Sequence, residues 1–172
     1  MTKSYSGWKI SNTKLNGVKK IALTSFKDHR GSYTETYNEQ FFSENGINVK
    51  FLQDDISISK KNVLRGLHGD FQTTKLITCL KGSFQLIVVN NDESSDQFKM
   101  WESFELSFEN KLQILVPPKF GNGHLVLSED CIFHYKQNSQ YDRSSQFTIK
   151  WNDPKYNFKW KINNPILSER DK

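Results

Sequence analysis

The 172-residue chain predicts an all-β fold, a β-sandwich or jelly-roll barrel, on three observations. Apolar and polar residues alternate in many short runs, turn signals separate those runs, and helical periodicity is nearly absent. Thirteen Phe, six Tyr and four Trp supply much of the apolar material, which suits pleated strands better than long helices. The length fits a single domain, 1–172, with a sizeable core.

The elements follow in order. Residues 18–23 (VKKIAL) and 32–37 (SYTETY) are short strand-like runs. Residues 39–45 form the one helix, with Asn38 as N-cap and Gly46 just past its end. Residues 50–59 alternate as a strand, and a second strand-like stretch then places Arg65 and His68 around Gly66. Runs at 75–80 and 83–90 are split by the Lys81-Gly82 turn signal, and Asn90-Asn91-Asp92 closes the second. The clearest alternation spans 98–108. Phe98, Met100, Glu102, Phe104, Leu106 and Phe108 share one face, and Lys99, Trp101, Ser103, Glu105 and Ser107 the other. Residues 112–116 run into Pro117-Pro118, and runs at 131–136 and 146–151 complete the set. A barrel of this kind holds a small ligand inside, so function is sought in polar residues at core-facing positions.

Composition narrows the function. Lys and Arg exceed Asp and Glu by 24 to 19, but the cations are scattered among acids and no basic stripe stands out. A compact anion such as a diphosphate accounts for the balance as well as a nucleic acid would, and no nucleic-acid partner is expected. Cys79 and Cys131 form no C-x-x-C pair and read as buried free thiols. Residues 1–5 are polar, and no stretch has the roughly 18 apolar residues of a membrane helix. A reducing cytoplasm and no membrane contact are the expectation.

The most informative segment is FLQDDISISKKNVLRGLHGD (51–70), where polar residues crowd around His68. With it stand FKDHRGSYTETY (26–37), KLITCLKGSFQLIVV (75–89), PPKFGNGHLVLS (117–128), YKQNSQY (135–141), WNDP (151–154) and LSERD (167–171). Together and in this order, these motifs resemble the dTDP-4-dehydrorhamnose 3,5-epimerase family, whose members are cupin-type jelly-roll barrels. The resemblance implies a cofactor-free isomerase, without a metal, that inverts carbons beside the ketone of a nucleotide-diphosphate 4-keto-6-deoxy sugar. It also implies a homodimer with short terminal additions to the barrel.

The chemistry makes sense of the residues that the resemblance assigns. A C4 ketone acidifies the hydrogens on C3 and C5 because the carbanion delocalises into an enolate. His68 matches the family's general base, a role suited to a side chain that ordinarily titrates near 6.5. Asp171 matches the carboxylate that orients this imidazole, although by itself it reads as solvated tail. Tyr135 matches the acid that returns a proton to the opposite face, and otherwise reads as a barrel aromatic. Lys75 matches the cation near the developing O4 oxyanion, and otherwise reads as a strand-edge lysine. Arg30 and Arg65 match arginines near the diphosphate, for which planar donors are suited. Glu35, Gln53 and Tyr141 match positions lining the nucleotide and sugar pocket, and Phe26 could supply an aromatic face.

The chain departs from the family pattern around the pocket. Asp70 stands where Gln is common, Asp55 where Asn is common, and the A-H-G-F segment becomes GNGH, bringing Asn122 and His124. The loop from His68 to Lys75 also looks short. These changes leave the four residues of the proton chemistry in place and suggest a different sugar nucleotide. The GNGH variant resembles a subgroup acting on GDP-linked 4-keto-6-deoxy-heptoses in surface-polysaccharide synthesis, with Asp55, Asp70 and His124 supplying polarity near C6. The rival readings are a metal-dependent cupin using His68, Asp70 and His124, a 3,4-ketoisomerase, and a non-catalytic sugar-nucleotide-binding module. The H-x-H pattern of the metal-binding cupins is absent, and the second motif is out of step by one residue.

Overall fold

A computed structural model describes residues 7–172 of the chain; the polar 1–5 stretch lies outside the described residues. Thirteen strands follow one another with a single short α-helix. They are β1 (Lys9–Asn12), β2 (Lys19–Ala22), β3 (Ser25–Asp28), β4 (Gly31–Thr34), β5 (Gln53–Lys60), β6 (Leu64–Gly69) and β7 (Lys75–Lys81). The rest are β8 (Ser83–Asn90), β9 (Trp101–Ser107), β10 (Leu112–Val116), β11 (Phe120–Val126), β12 (Asp130–Gln137) and β13 (Phe147–Thr148). A six-stranded sheet runs β1-β2-β10-β7-β12-β5, a five-stranded sheet runs β13-β6-β11-β8-β9, and β3-β4 is a separate hairpin. All these pairings are antiparallel, and the two large sheets face one another as the jelly-roll barrel.

The inward faces make the core. Ile77, Phe84, Leu86, Val88, Leu106, Ile114 and Val126 are fully buried there, each worth about 1.5–3 kcal/mol relative to exposure. Cys79 and Cys131 belong to this cluster as free, buried thiols. Helix α1 (Glu39–Glu44) covers the outer face of the larger sheet, burying Phe41 and Phe42 against Ile21, Leu76 and Leu115. The Asn38 side chain accepts a hydrogen bond from the Phe41 N–H at 3.0 Å, which caps the helix as its sequence predicts. Over the smaller sheet, Trp151, Tyr156, Phe158 and Trp160 of the C-terminal segment pack on Leu67, Ile87 and Val89. No helix among the described residues is long and apolar enough to cross a membrane.

Several boundaries differ from the sequence expectation. The 98–108 run starts its strand only at Trp101, because Lys99 takes a positive φ in the preceding turn. The 146–151 run shrinks to β13, two residues at a sheet edge. The glycine-rich 120–126 segment, unassigned by alternation, is a central strand.

Candidate active site

Strand β6 carries two functional side chains in an irregular register. In a regular strand, residues three apart point to opposite faces, yet Arg65 and His68 both line one cavity. The register between β6 and β11 shifts between the pairs Asn122↔His68 and His124↔Arg65. Gly66 has φ +113° there, and a Cβ on it would sit 2.6 Å from the Gly123 Cα, so neither the conformation nor the space admits a side chain. The bulge turns both polar groups inward.

The cavity is about 620 Å³ and opens between the sheets. Gln53, Asp55 and Ser57 reach it from β5, Arg65 and His68 from β6, and Lys75 from β7. Asn122 and His124 come from β11, Phe133 and Tyr135 from β12, and Tyr141 from the loop beyond. The sequence expectation did not include Arg143, Gln146, Ser168, Glu169 and Arg170, which complete the lining with Asp171 and with Ile56 at its rim.

His68 Nε2 and Asp171 Oδ1 are 2.7 Å apart, with the carboxylate 3% exposed. The solvated tail that Asp171 suggests in isolation is therefore a buried wall. The chain end is pinned by a bridge between Val63 and Ile166, with Leu64 N–H donating to the Ile166 carbonyl at 3.0 Å. The Ser168 hydroxyl donates to Asp171 Oδ2 at 2.8 Å. Burial opposes the charge on Asp171, but the bonds from His68 and Ser168 outweigh it and hold the carboxyl below its usual range.

Lys75 and Tyr135 sit on neighbouring strands, the ammonium 5.8 Å from the ring centroid. Burial lowers the Lys75 pKa, and no carboxylate among the described residues pairs with it. Burial, and then the Asp55 carboxylate opposite on β5, push the Tyr135 phenol well above its usual value. Arg65 is steadied by a bond from Nε to Ser59 Oγ at 3.0 Å, and Arg170 by one to Gln146 Oε1 at 3.1 Å. The arrangement offers a base with its carboxylate, a protonated phenol, a buried cation and several guanidinium groups in one space.

His124 is 3% exposed and stacked on Phe133, ring centroids 4.0 Å apart. Burial, reinforced by Arg65, pushes its pKa down to about 3, so the ring is neutral near pH 7. Its Nε2 and the Oδ1 of Asn122 are buried with no hydrogen-bond partner among the described residues.

Three expected residues lie elsewhere in the same chain. Phe26 and Arg30 are on the exposed β3-β4 hairpin, where the Arg30 guanidinium bonds Asp28, and Glu35 accepts from Asn38 Nδ2 at 3.1 Å. Asp70 does not line the cavity itself, and its charge reaches it through Lys75. Its carboxylate accepts from the backbone N–H groups of Gln72 at 2.9 Å and Thr73 at 2.6 Å, closing the short loop. The His68, Asp70 and His124 donor set is thus not assembled, and among the described residues no cluster of three such side chains could hold a metal ion.

The sequence profile described as dTDP-4-dehydrorhamnose 3,5-epimerase matches residues 12–172. The chain is 35% identical over 172 residues to the dTDP-4-dehydrorhamnose 3,5-epimerase of Methanothermobacter thermautotrophicus, covering 96% of this chain and 92% of that one. The crystal structure of the enzyme of that name from Elizabethkingia anophelis superposes with a TM-score of 0.87 at 40% identity, over 95% of this chain and 93% of that one. The dTDP-6-deoxy-D-glucose-3,5-epimerase of Legionella pneumophila, solved in complex with dTDP-4-keto-L-rhamnose, superposes with a TM-score of 0.91 at 34% identity, over 95% and 89%.

Proposed function

The chain belongs to the dTDP-4-dehydrorhamnose 3,5-epimerase family, and from that premise we propose how its own residues carry the reaction. The protein is an isomerase that inverts one or both carbons beside the ketone of a nucleotide-linked 4-keto sugar. The observation that carries the residue assignment is the His68–Asp171 pair opening on the same cavity as Tyr135 and Lys75.

His68 removes the proton from C3 or C5, and Asp171 stabilises the imidazolium that forms. Lys75, itself buried, faces the enolate oxygen at C4 and offsets its charge. Tyr135 delivers a proton to the other face. Arg65, with Arg143 and Arg170, supplies guanidinium donors for the diphosphate, while Gln53, Asp55 and Tyr141 line the sugar and nucleotide path. Residues 1–172 act as one domain in this scheme.

A homodimer completes the binding site. Phe26 and Arg30 project from an exposed hairpin away from their own cavity, and the outer face of the edge strand β5 exposes Ile56 at 60% and Ile58 at 68%. A second copy covering that face buries the isoleucines and brings a hairpin arginine to the neighbouring cavity. Reduced, buried thiols suit a cytoplasmic location, where nucleotide sugars are made.

The GNGH segment, which brings Asn122 and His124 to the cavity, is the ground for a GDP-linked 4-keto-6-deoxy-heptose destined for surface polysaccharide, with the dTDP-linked hexose as the alternative. Incubation in heavy water with both sugar nucleotides, read by mass and NMR, tests the function. Each exchanging centre adds one mass unit, and turnover without exchange at C3 or C5 would refute it.

A further inference from the structure

Asp55 is the anomalous charge of the cavity. The surrounding cations, Arg65, Lys75, Arg143 and Arg170, suit a diphosphate, and a carboxylate among them weakens attraction for any anion. The other acidic groups of the lining are engaged: Asp171 with His68 and Glu169 with Lys172. The neighbouring Asp54, on the outward face of β5, is paired with Lys136 and His134. Asp55 has no cationic partner among the described residues. One of its oxygens, Oδ2, accepts from Gln53 Nε2 at 2.8 Å, and Gln53 Oε1 is itself held by the Tyr141 N–H at 2.8 Å. This fixed carboxylate stands directly across the β5-β12 ladder from Tyr135, and both side chains line the cavity.

Building on the epimerase reading of the site, we infer that Asp55 is a positioning residue for the acid Tyr135: its carboxylate orients the phenol hydroxyl toward the sugar and disfavours a lasting phenolate. When the phenol gives its proton to the sugar carbanion, a C–H bond forms and a phenolate remains beside Asp55. Repulsion between the two anions then drives the phenolate to take a proton from water, which restores the acid, while His68 releases the proton it removed. The other groups facing Tyr135 are Lys75 from β7 and Tyr141 from the loop beyond β12, and His134 lies close to Asp55 on the outer side. Lys75 favours the phenolate, so Asp55 is the group that opposes it.

The test compares wild type with Asp55→Asn, which keeps the shape and removes the charge, and Asp55→Ala, which removes the acceptor. The Tyr135 signal is isolated as the phenolate absorbance lost in Tyr135→Phe. Burial keeps the Tyr135 phenol above its ordinary value in every variant, but its phenolate appears at lower pH in Asp55→Asn than in wild type, and the alkaline limb of inversion moves down with it. Asp55→Ala shifts the ratio of inversion to deuterium exchange against inversion by roughly 10-fold or more, less than the roughly 10²–10⁴-fold that loss of the acid itself costs. An unchanged phenolate titration in both variants, or an alkaline limb that ignores it, overturns the inference. If the titration moves while the wild type neither exchanges nor inverts 4-keto sugar nucleotides, the epimerase reading fails and the Asp55–Tyr135 coupling stands.

Discussion

The carboxylate of Asp171 and the imidazole of His68 lie 103 residues apart in the chain and meet at 2.7 Å. The pairing depends on the chain end folding back along β6, where Ile166 N–H donates to the Asn62 carbonyl at 2.8 Å. Because the carboxylate is buried, its charge acts on the ring with little screening.

Replacing Asp171 with Asn keeps the volume and removes that charge. Turnover is expected to fall about 10²–10⁴-fold, with substrate affinity changed far less. Steady-state kinetics on the variant checks this, and a loss under tenfold would make the pair structural only.

Lys75 presents opposite effects on activity and stability. Its ammonium is buried with no ion pair among the described residues, Asp70 acting on it only from farther off, so Lys75→Met is expected to raise stability by roughly 1–2 kcal/mol. The same change removes the cation facing the enolate oxygen and should lower kcat/KM about 10²–10³-fold. Urea unfolding and kinetics on one preparation read both.

The barrel was legible in alternation because strands with one buried face have a period of two. Strand β11 was not, since Gly121, Asn122 and Gly123 read as turn residues. The two glycines are there for packing: a Cβ on Gly123 would lie 3.0 Å from Leu67 Cγ and 3.1 Å from the Arg65 carbonyl. Strands β1 and β3 were also missed, being four residues each and largely exposed. His68, Lys75 and Tyr135 stood in recognisable motifs. Arg143 did not, because an exposed loop residue carries no periodic signal, while Gln146 and Arg170 stood in a strand-like run and in the LSERD motif without a role assigned to them, and all three reach the cavity only through tertiary folding. The hairpin residues Phe26 and Arg30 have no role that a single chain can display.

Tyr135→Phe separates the two halves of the reaction. Abstraction by His68 needs no phenol, whereas delivery to the opposite face does. Deuterium exchange is expected to outlast inversion, with inversion reduced about 10²–10⁴-fold. NMR of the recovered sugar nucleotide distinguishes labelled starting material from product.

Stability should fall on acidification because of His124. Its folded pKa is about 3, while an unfolded histidine titrates near 6.5. Between those values the unfolded chain binds the additional proton, so stability rises with pH and is lost as pH falls from about 6.5, by up to roughly 1.4 kcal/mol per pH unit. His134, also lowered by burial, contributes to the same slope. Urea midpoints at several acidic pH values should show a shallower slope in His124→Phe than in wild type.

The most direct measurement of the proposed chemistry is the entry of deuterium from heavy water into a 4-keto sugar nucleotide, compared between wild type and His68→Asn. Label should appear at the carbon beside the ketone with wild type and remain at the uncatalysed level with the variant. Exchange by His68→Asn at the wild-type rate would contradict the assignment of the base.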